Sequence, residues 1–263
     1  MCSATVWLMI KYEASGVRAT ITIDDEERRN PLTNAAMAEM AEAVTRAAYD
    51  DSVRVVVITG AGDQSFSAGG DLAGGFVDAP LADHEGRGAL ANLFRAMRRC
   101  PKPVVARVNG HAFGGGMGLI AASDIAICAD HAQLGTPEIN VGLWPMMITA
   151  VLKPLVPRRA LLEMMMVGRR FDATEAQRLG LVNRVVSPAD LDNAVDELVA
   201  ELAKQSPTAI ALGKQAFYAV EDMDIDTALD HLHHSLTAIA TTEDAVEGVS
   251  AFLEKRPPEW TGH

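Results

Sequence analysis

Two glycine-rich turns are the parts of the sequence best suited to chemistry. They span residues 66–72 and 109–118, and each follows a run typical of a buried strand. Glycine at such a turn often supplies only unusual backbone angles. It also leaves the backbone N–H bare, and Gly115 stands where a helix begins and the dipole favours negative charge. Two converging N–H groups would form an oxyanion hole, the site that stabilises an enolate made from a thioester.

A carboxylate downstream of the turns is the candidate for proton transfer. Glu138 follows Thr136 and Pro137. From the residues alone it is either a surface or helix-capping carboxylate or a catalytic acid–base group, and both interpretations stay open. Asp71 is expected to order its turn rather than contact a substrate, and His111 is expected to be structural.

Other candidate sites are weaker. The segment 60–62 begins like a dinucleotide-binding fingerprint, but Ser65 replaces the third glycine and no helix is predicted to follow. Ser67 lacks a base partner, which argues against a serine hydrolase. Histidines at 231, 233 and 234 have no carboxylate or cysteine to complete a set of ligands, so no metal is predicted.

The elements that must position these residues form an α/β pattern. Residues 17–23 alternate between apolar and polar, as in a half-buried strand, and continuous apolar runs predict buried strands elsewhere. The predicted buried strands cover 53–60, 102–108 and 124–129, and the predicted helices cover 33–49, 83–99 and 117–123. Almost everything after residue 160 is predicted to be helical. Strands alternating with helices predict an α/β core, followed by an all-helical last quarter.

Composition and charge exclude several classes of function. The 263 residues include 49% hydrophobic and 22% charged ones, as in ordinary globular proteins. With 23 basic and 35 acidic residues the formal net charge is −12, so nonspecific binding to nucleic acid or an anionic membrane is not expected. A local basic site for one anionic ligand stays possible.

The cysteines and the apolar windows predict a cytoplasmic protein. Cys2, Cys100 and Cys128 are odd in number and far apart, which indicates reduced thiols. The N-terminus shows no signal-peptide pattern. The most apolar long window, residues 104–127, is interrupted by polar residues and glycines, so it predicts a strand, turn and helix rather than a membrane span.

The set of motifs closely resembles the crotonase (enoyl-CoA hydratase/isomerase) superfamily. The resemblance rests on residues 66–72, the loop 109–118, Thr136-Pro137-Glu138 and residues 168–173, with further matches at 180–182 and 250–256. These elements follow the order and spacing of the family across nearly the whole chain. Any one motif is weak evidence, but the set is specific.

The resemblance implies a fold and an assembly. The expected fold class is α/β, with a crotonase-type spiral core of repeated β-β-α units over residues 1–200. Residues 201–263 are expected to form a C-terminal helical region that mediates oligomerisation. The expected assembly is a homotrimer or a hexamer made of two trimers.

The resemblance also implies an acyl-CoA substrate, with the thioester oxygen held by the N–H groups of Gly70 and Gly115. No separate cofactor is expected, because CoA is part of the substrate. Trp144 and Met146 are expected to line the acyl pocket. The residues expected to bind CoA are Arg28, Ala68, Gly70 and Gly115, joined by Phe252 and Lys255 from a neighbouring subunit.

The expected catalytic carboxylates are incomplete. Hydratases of the family typically use two glutamates, and here the second is Glu138 while Gly118 occupies the position of the first. Met146 also stands where hydratases usually have a glycine that holds water. Replacing Gly118 with glutamate and Met146 with glycine is therefore expected to raise hydration.

Three activities remain open at this point. Hydration is the commonest activity of the family, but Gly118 argues against an efficient hydratase. A single carboxylate suffices to shuttle a proton between the α- and γ-carbons, which is double-bond isomerisation. A regulatory homologue without strong catalysis is the third interpretation, and the presence of Glu138 argues against it.

Overall fold

The computed structural model describes residues 9–71 and 84–263. Its strands are β1 Ile10–Ser15, β2 Arg18–Ile23, β3 Pro31–Leu32, β4 Val55–Gly60, β5 Ser65–Ser67, β6 Gly69–Gly70, β7 Val104–Val108, β8 His111–Phe113, β9 Ile125–Ala129, β10 Gln133–Gly135, β11 Arg170–Asp172 and β12 Arg184–Val186. Its α-helices are α1 Asn34–Ala48, α2 His84–Arg87, α3 Ala89–Arg99, α4 Gly115–Ala122, α5 Met146–Leu152, α6 Arg158–Val167, α7 Ala173–Arg178, α8 Leu191–Ala203, α9 Pro207–Ala219, α10 Ile225–Ala240 and α11 Glu243–Glu254.

The main sheet has six strands in the order β1-β2-β4-β7-β9-β12. Only the β1–β2 pair is antiparallel. All six residues of β4 are buried, as in a parallel sheet covered on both faces. Because successive side chains point to opposite faces, Val56 and Ile58 pack toward the large core, whereas Val55 and Val57 pack with residues of α8.

A second, four-stranded sheet has the order β11-β10-β8-β5. The chain passes from a long strand of the main sheet to a short strand of the second sheet and then to a helix, as in β7, β8 and α4. β4 and β5 repeat the passage between the two sheets, and the described elements that come next in the chain are β6, α2 and α3. The repetition confirms the predicted spiral of β-β-α units, and it brings the ends of β5 and β8 side by side.

Two buried asparagines hold the loops next to the site. The amide nitrogen of Asn30 donates to the carbonyl of Ser65 over 2.7 Å, although Asn30 itself has a φ of 56°. The side-chain oxygen of Asn109 accepts from the N–H of Gly60 over 3.1 Å, and its nitrogen donates to the carbonyl of Gly62 over 2.8 Å. Every buried polar atom named here has a partner, which fixes the turn that leads into β5.

The helix α9 is fastened to the core by a partly buried ion pair. Nζ of Lys214 lies 2.6 Å from Oδ2 of Asp124 and also donates to the carbonyls of Met97 and Lys102. The hydroxyl of Tyr218 donates to Oδ1 of Asp124 over 2.8 Å. These contacts join the C-terminal helices to the segment before β9, and the boundary at residue 200 stays a prediction.

Some predicted elements differ from the structure. The helix predicted over 117–123 begins at Gly115, and the helix predicted over 83–99 is two helices interrupted at Gly88, with residue 83 outside the described residues. The region after residue 160 also contains the strands β11 and β12. Each has three residues and is defined by partners far away in sequence, so local periodicity could not reveal it.

The described residues also bear on membrane-spanning helices, metal sites and cysteine thiols. None of their helices is both long and apolar enough to cross a membrane. They contain no group of three or more His, Cys, Asp or Glu side chains placed to hold a metal ion. Cys100 and Cys128 are buried free thiols, and burial raises the pKa of both; Cys2 lies outside the described residues.

Candidate active site

A cavity of about 900 Å³ lies where the two glycine-rich turns meet the segment after Glu138. Gly70, Gly115, Glu138, Trp144 and Met146 all line it, so the structure brings together these five residues predicted from the sequence. The rest of its wall is formed by Leu32, Thr33, Asn34, Ala35, Met37, Asp71, Arg87, Leu90, Ile139, Gly142, Leu143, Pro145, Met147 and Ile148.

The N–H groups of Gly70 and Gly115 are neighbours in this cavity. A Cβ placed on Gly115 would lie 3.7 Å from the nitrogen of Gly70, and a Cβ placed on Gly70 would have no described atom within 4 Å apart from those of Gly70 and its two chain neighbours. The N–H of Asp71 donates to the carbonyl of Leu32, and successive N–H groups of an extended segment alternate in direction, so that of Gly70 faces the other way. Gly115 is the first residue of α4, where an N–H has no acceptor within the helix.

Two further glycines allow this close approach. Gly69 has a φ of 89°, and a Cβ there would lie 2.6 Å from the carbonyl oxygen of Phe113. Gly114 has a φ of 51°, and a Cβ there would lie 2.9 Å from Oε1 of Glu138. Both positions combine left-handed backbone with too little room for a side chain, so only glycine fits them without strain.

Glu138 places its carboxyl group beside the glycine turn. It lies in a 3₁₀ turn, Pro137–Val141, whose end is closed by the N–H of Leu143 donating to the Glu138 carbonyl over 3.0 Å. Oε2 is buried, and none of the described residues donates a hydrogen bond to it. Burial raises the pKa of the Glu138 carboxyl above its ordinary value. A desolvated carboxylate is a stronger base than one in water.

The raised pKa of Glu138 has a consequence for the pH dependence of activity. If the carboxylate is the base, kcat/KM must fall as pH drops through its pKa, because the protonated form cannot accept a proton. We expect the midpoint of that acid limb to lie above the value of about 4.3 found for free glutamate. A pH–rate profile measures it, and a midpoint at or below that value would contradict the role of burial.

The space beside Gly118, where a second carboxylate would stand, is occupied by apolar side chains. A Cβ on Gly118 would lie 2.7 Å from Cζ of Phe94 and closer still to Cγ2 of Ile148. Both side chains belong to the packed core. The obstacle to a second carboxylate at position 118 is therefore Ile148 with Phe94, which the expectation of increased hydration in the Gly118→Glu, Met146→Gly double variant did not take into account.

We expect substitutions at Gly118 to be disruptive. Gly118→Ala should lower the free energy of unfolding by about 1–3 kcal/mol, because it overpacks a filled core. Gly118→Glu should be worse and should not raise hydration, whether or not Met146 is changed to glycine. Chemical denaturation and a hydration assay with 2-hexenoyl-CoA measure both effects. A stable Gly118→Glu variant with increased hydration would contradict this description of the core.

The segment Trp144–Met146 forms an apolar part of the cavity wall, and its Met146 N–H is hydrogen-bonded within the segment. The N–H of Met146 donates to the carbonyl of Trp144 over 2.7 Å, and Pro145 between them has φ −72° and ψ 66°, an inverse γ-turn. The N–H that would hold a water is thus already engaged. The side chain of Met146 is 72% exposed, and Trp144 is half-buried against the core.

Of the residues expected to bind CoA, Gly70 and Gly115 line the cavity, whereas the other four do not belong to its described wall. Arg28 is half exposed and forms ion pairs with Asp25 and, at 3.3 Å, with Asp71 of the cavity wall. Ala68 is exposed, and its N–H donates to the carbonyl of Arg29 over 2.9 Å. Phe252 and Lys255, at the end of α11, do not belong to the described wall of the cavity.

Two other polar residues near the site have structural contacts. Nδ1 of His111 accepts the N–H of Gln133 over 3.0 Å, which holds β8 to β10, and burial lowers its pKa. His111 is not among the described residues of the cavity wall. Asp71 does line the cavity and pairs with Arg28 next to Gly70. The structural role expected for His111 and the loop-ordering role expected for Asp71 stay predictions.

Sequence reasoning missed several residues of the cavity wall. Leu32, Met37 and Leu90 gave only the ordinary signal of apolar residues in strands and helices. Arg87 precedes Leu90 by three residues, which places both on one helix face. That spacing was visible in the sequence, but nothing showed that this face borders the site.

Comparison with known proteins identifies the family. The chain matches the enoyl-CoA hydratase/isomerase family over residues 13–263, which is nearly its whole length. Carnitinyl-CoA dehydratase from Salmonella arizonae is 39% identical over 260 residues, covering 97% of this chain and 98% of the relative. Carnitinyl-CoA dehydratase from Escherichia coli K12 is 39% identical over 244 residues, covering 90% and 93%. The chain belongs to the enoyl-CoA hydratase/isomerase family.

Solved structures agree with this assignment. An enoyl-CoA hydratase from Mycobacterium smegmatis superposes with a TM-score of 0.91 at 34% identity, covering 96% of this chain and 98% of that one. An enoyl-CoA hydratase from Bacillus anthracis gives 0.92 at 30% identity, covering 97% and 100%. The crotonase fold predicted from the motifs is confirmed.

Proposed function

We propose that this acyl-CoA enzyme moves a proton between the α- and γ-carbons of an enoyl-CoA thioester, with Glu138 as its sole acid–base group. The observation that carries the proposal is the filled position at Gly118, where Phe94 and Ile148 leave no room for a second carboxylate. Hydration needs one group to activate water and an acid to protonate the α-carbon, whereas isomerisation needs one group that accepts and returns a proton.

The proposed reaction follows from the arrangement of the cavity. The thioester oxygen accepts hydrogen bonds from the N–H groups of Gly70 and Gly115. The carboxylate of Glu138 removes a proton from the α-carbon, and the negative charge moves to the thioester oxygen. Both N–H groups then hold an enolate, to which they bind more strongly than to the neutral carbonyl. Protonation at the γ-carbon by Glu138 completes the shift of the double bond.

Hydration and dehydration form the second candidate. The carnitinyl-CoA dehydratases are 39% identical to the chain, and their name describes removal of water from an acyl-CoA. The engaged N–H of Met146 and the apolar wall weigh against a held water in this chain. Loss of the second acid–base group is expected to lower hydration by about 10²–10⁴-fold.

A comparison of two substrates distinguishes these functions. The enzyme is offered 3-hexenoyl-CoA and 2-hexenoyl-CoA, and the products are separated by chromatography. We expect conversion of the first into the second to exceed hydration of the second by more than about 10²-fold. Hydration that is as fast as isomerisation would favour a hydratase. Absence of both reactions with intact CoA binding would favour a regulatory homologue.

CoA binding is proposed to depend on Arg28, with Ala68 beside it. CoA carries several negative charges while the chain carries −12, so attraction must be local and is screened by salt. We expect Kd for CoA to rise with ionic strength, and Arg28→Gln to weaken binding about two- to fivefold at low salt. Calorimetric titrations over a salt series measure this, with a substitution of the exposed residue Arg158 of α6, Arg158→Gln, as the control. An affinity independent of salt would contradict a role for Arg28.

The proposed assembly is a homotrimer or a dimer of trimers in the cytoplasm, acting in fatty-acid or related acyl-CoA metabolism. Apolar side chains of α10 and α11 are more than half exposed, which supports coverage by another subunit. They include Ile225, Leu229, Leu236, Val249 and Phe252. In this assembly Phe252 and Lys255 would approach the CoA of a neighbour, so each site would be completed across the interface.

A further inference from the structure

The direction of the Gly70 N–H depends on the residues on either side of it. Gly70 is exposed and has no side chain that could pack against its surroundings. Glycine also has more backbone freedom than any other residue. On the N-terminal side, the N–H of Gly69 donates to Oγ of Ser67 over 3.2 Å. On the C-terminal side lies Asp71, so the contacts of Asp71 bear directly on where the Gly70 N–H points.

The carboxylate of Asp71 pairs with Arg28. Nη1 of Arg28 donates to Oδ2 of Asp71 over 3.3 Å, and the side chain of Asp71 is 16% exposed. An ion pair in open solvent contributes little, but water and salt screen a mostly buried carboxylate much less. The N–H of Asp71 also donates to the carbonyl of Leu32 over 3.2 Å. Asp71 is therefore held through its side chain as well as through its backbone.

Arg28 is itself fixed before it reaches Asp71. Oδ2 of Asp25 accepts from Nε of Arg28 over 2.8 Å and lies 2.5 Å from Nη2. Both contacts are on one edge of the planar guanidinium, which leaves Nη1 to reach Asp71. A side chain held in this way has already lost most of its rotamer freedom, so the contact with Asp71 costs little further entropy.

The backbone of the turn that carries Arg28 is joined to the segment that leads to Gly70. Arg29 and Asn30 both have left-handed backbone, with φ of 65° and 56°, which costs energy in residues other than glycine. The carbonyl of Arg29 accepts from the N–H of Ala68 over 2.9 Å, and the carbonyl of the fully buried Asn30 accepts from Oγ of Ser67 over 2.8 Å. These bonds maintain the strained turn next to the oxyanion site.

We propose that Arg28 is a positioning residue of the oxyanion hole, which through its ion pair with Asp71 fixes the turn in which Gly70 aims its N–H at the thioester oxygen. This inference rests on the proposed acyl-CoA site and adds a role for Arg28 that is separate from its contact with CoA. Arg28 does not belong to the described wall of the cavity, so it acts through Asp71. Without the pair, the Gly70 N–H would be less well aligned with the oxyanion, which lowers kcat.

A thioester without the nucleotide separates the two roles of Arg28. 3-Hexenoyl-pantetheine lacks the phosphates of CoA, so Arg28 has no anionic group to bind on it. We expect Arg28→Gln and Asp71→Asn each to lower its kcat for isomerisation about tenfold, less than the loss of a whole donor, with KM unchanged. Arg28→Lys should recover part of the rate. Saturating 3-hexenoyl-CoA should give the same ratios of kcat, because CoA affinity no longer limits the rate.

The matched control is Arg29→Gln, the same change in the neighbouring exposed arginine, which should leave kcat unaltered. The double variant Arg28→Gln, Asp71→Asn then tests the pair itself. If the two residues act as a unit, its kcat should be about tenfold below the wild type rather than about hundredfold. Any other contact of Asp71 is lost equally with and without Arg28, so it cancels. Circular dichroism checks that each variant is folded.

The outcomes separate the inference from the function on which it rests. An unchanged kcat in Arg28→Gln, or effects that multiply in the double variant, would overturn the positioning role and leave the acyl-CoA site intact. A raised KM for the pantetheine thioester with unchanged kcat would overturn it as well, because it would indicate direct binding of substrate. Absence of isomerisation of both thioesters by the wild type would contradict the proposed function itself, and the inference with it.

Discussion

Replacing Glu138 with glutamine should lower the isomerisation rate of 3-hexenoyl-CoA by about 10²–10⁴-fold and leave CoA affinity unchanged. Glutamine keeps the shape and hydrogen-bonding capacity of glutamate but cannot accept and return a proton near neutral pH. The variant should stay folded, because burial disfavours the charged carboxylate that is being removed. Initial rates and calorimetric titration with CoA measure the two effects separately.

The control for this experiment is Glu197→Gln, which makes the same chemical change on the exposed surface of α8. Its isomerisation rate should equal that of the wild type. An isomerisation rate in Glu138→Gln equal to that of the wild type would contradict the single-carboxylate mechanism. The remaining candidates for the base would then be Asp71, which lines the cavity, and His111, which lies in the glycine-rich turn 109–118.

Replacing Gly115 with proline should have the second-largest effect. Proline removes the N–H that the oxyanion would use, and loss of one such donor lowers kcat by about 10²–10³-fold. Gly115 is the first residue of α4, where proline is well tolerated because that N–H has no partner within the helix. The effect should therefore appear in kcat rather than in the stability of the fold.

Gly115→Ala is the matched control for the proline variant. Both place a Cβ 3.0 Å from Cδ1 of Leu32, a flexible side-chain end that can shift, but alanine keeps the N–H. The difference in kcat between the two variants removes the effect of the Cβ and reports the loss of the N–H together with the ring carbons that replace it. A folded proline variant with the same kcat as the alanine variant would show that Gly115 donates nothing to the transition state.

Much of the fold could be predicted because its main strands are buried on both faces. Val55–Gly60 and Val104–Val108 read as continuous apolar runs, which is what a covered parallel sheet requires. The short strands Arg170–Asp172 and Arg184–Val186 could not be found in this way. They are held by Gln133–Gly135 and Ile127–Ala129, so their existence depends on contacts that local sequence does not encode.

The backbone part of the candidate site was also predictable, for a related reason. Gly69 and Gly114 hold angles and contacts that exclude a side chain, and that restriction leaves a visible pattern in the sequence. The sequence could not show that the space beside Gly118 is occupied, because Ile148 and Phe94 are ordinary apolar residues of two other helices. Arg87 was missed likewise, since a charged residue on a helix is usually solvated.

The most direct measurement of the central claim follows the transferred proton itself. 3-Hexenoyl-CoA carrying deuterium at both α-positions is converted in ordinary water, and mass spectrometry locates the label in the 2-hexenoyl-CoA product. One buried carboxylate that accepts and returns the same proton should carry part of the deuterium to the γ-carbon, since Oε2 of Glu138 is buried and exchange with water is slow. A γ-hydrogen drawn entirely from water, or a product dominated by 3-hydroxyhexanoyl-CoA, would contradict it.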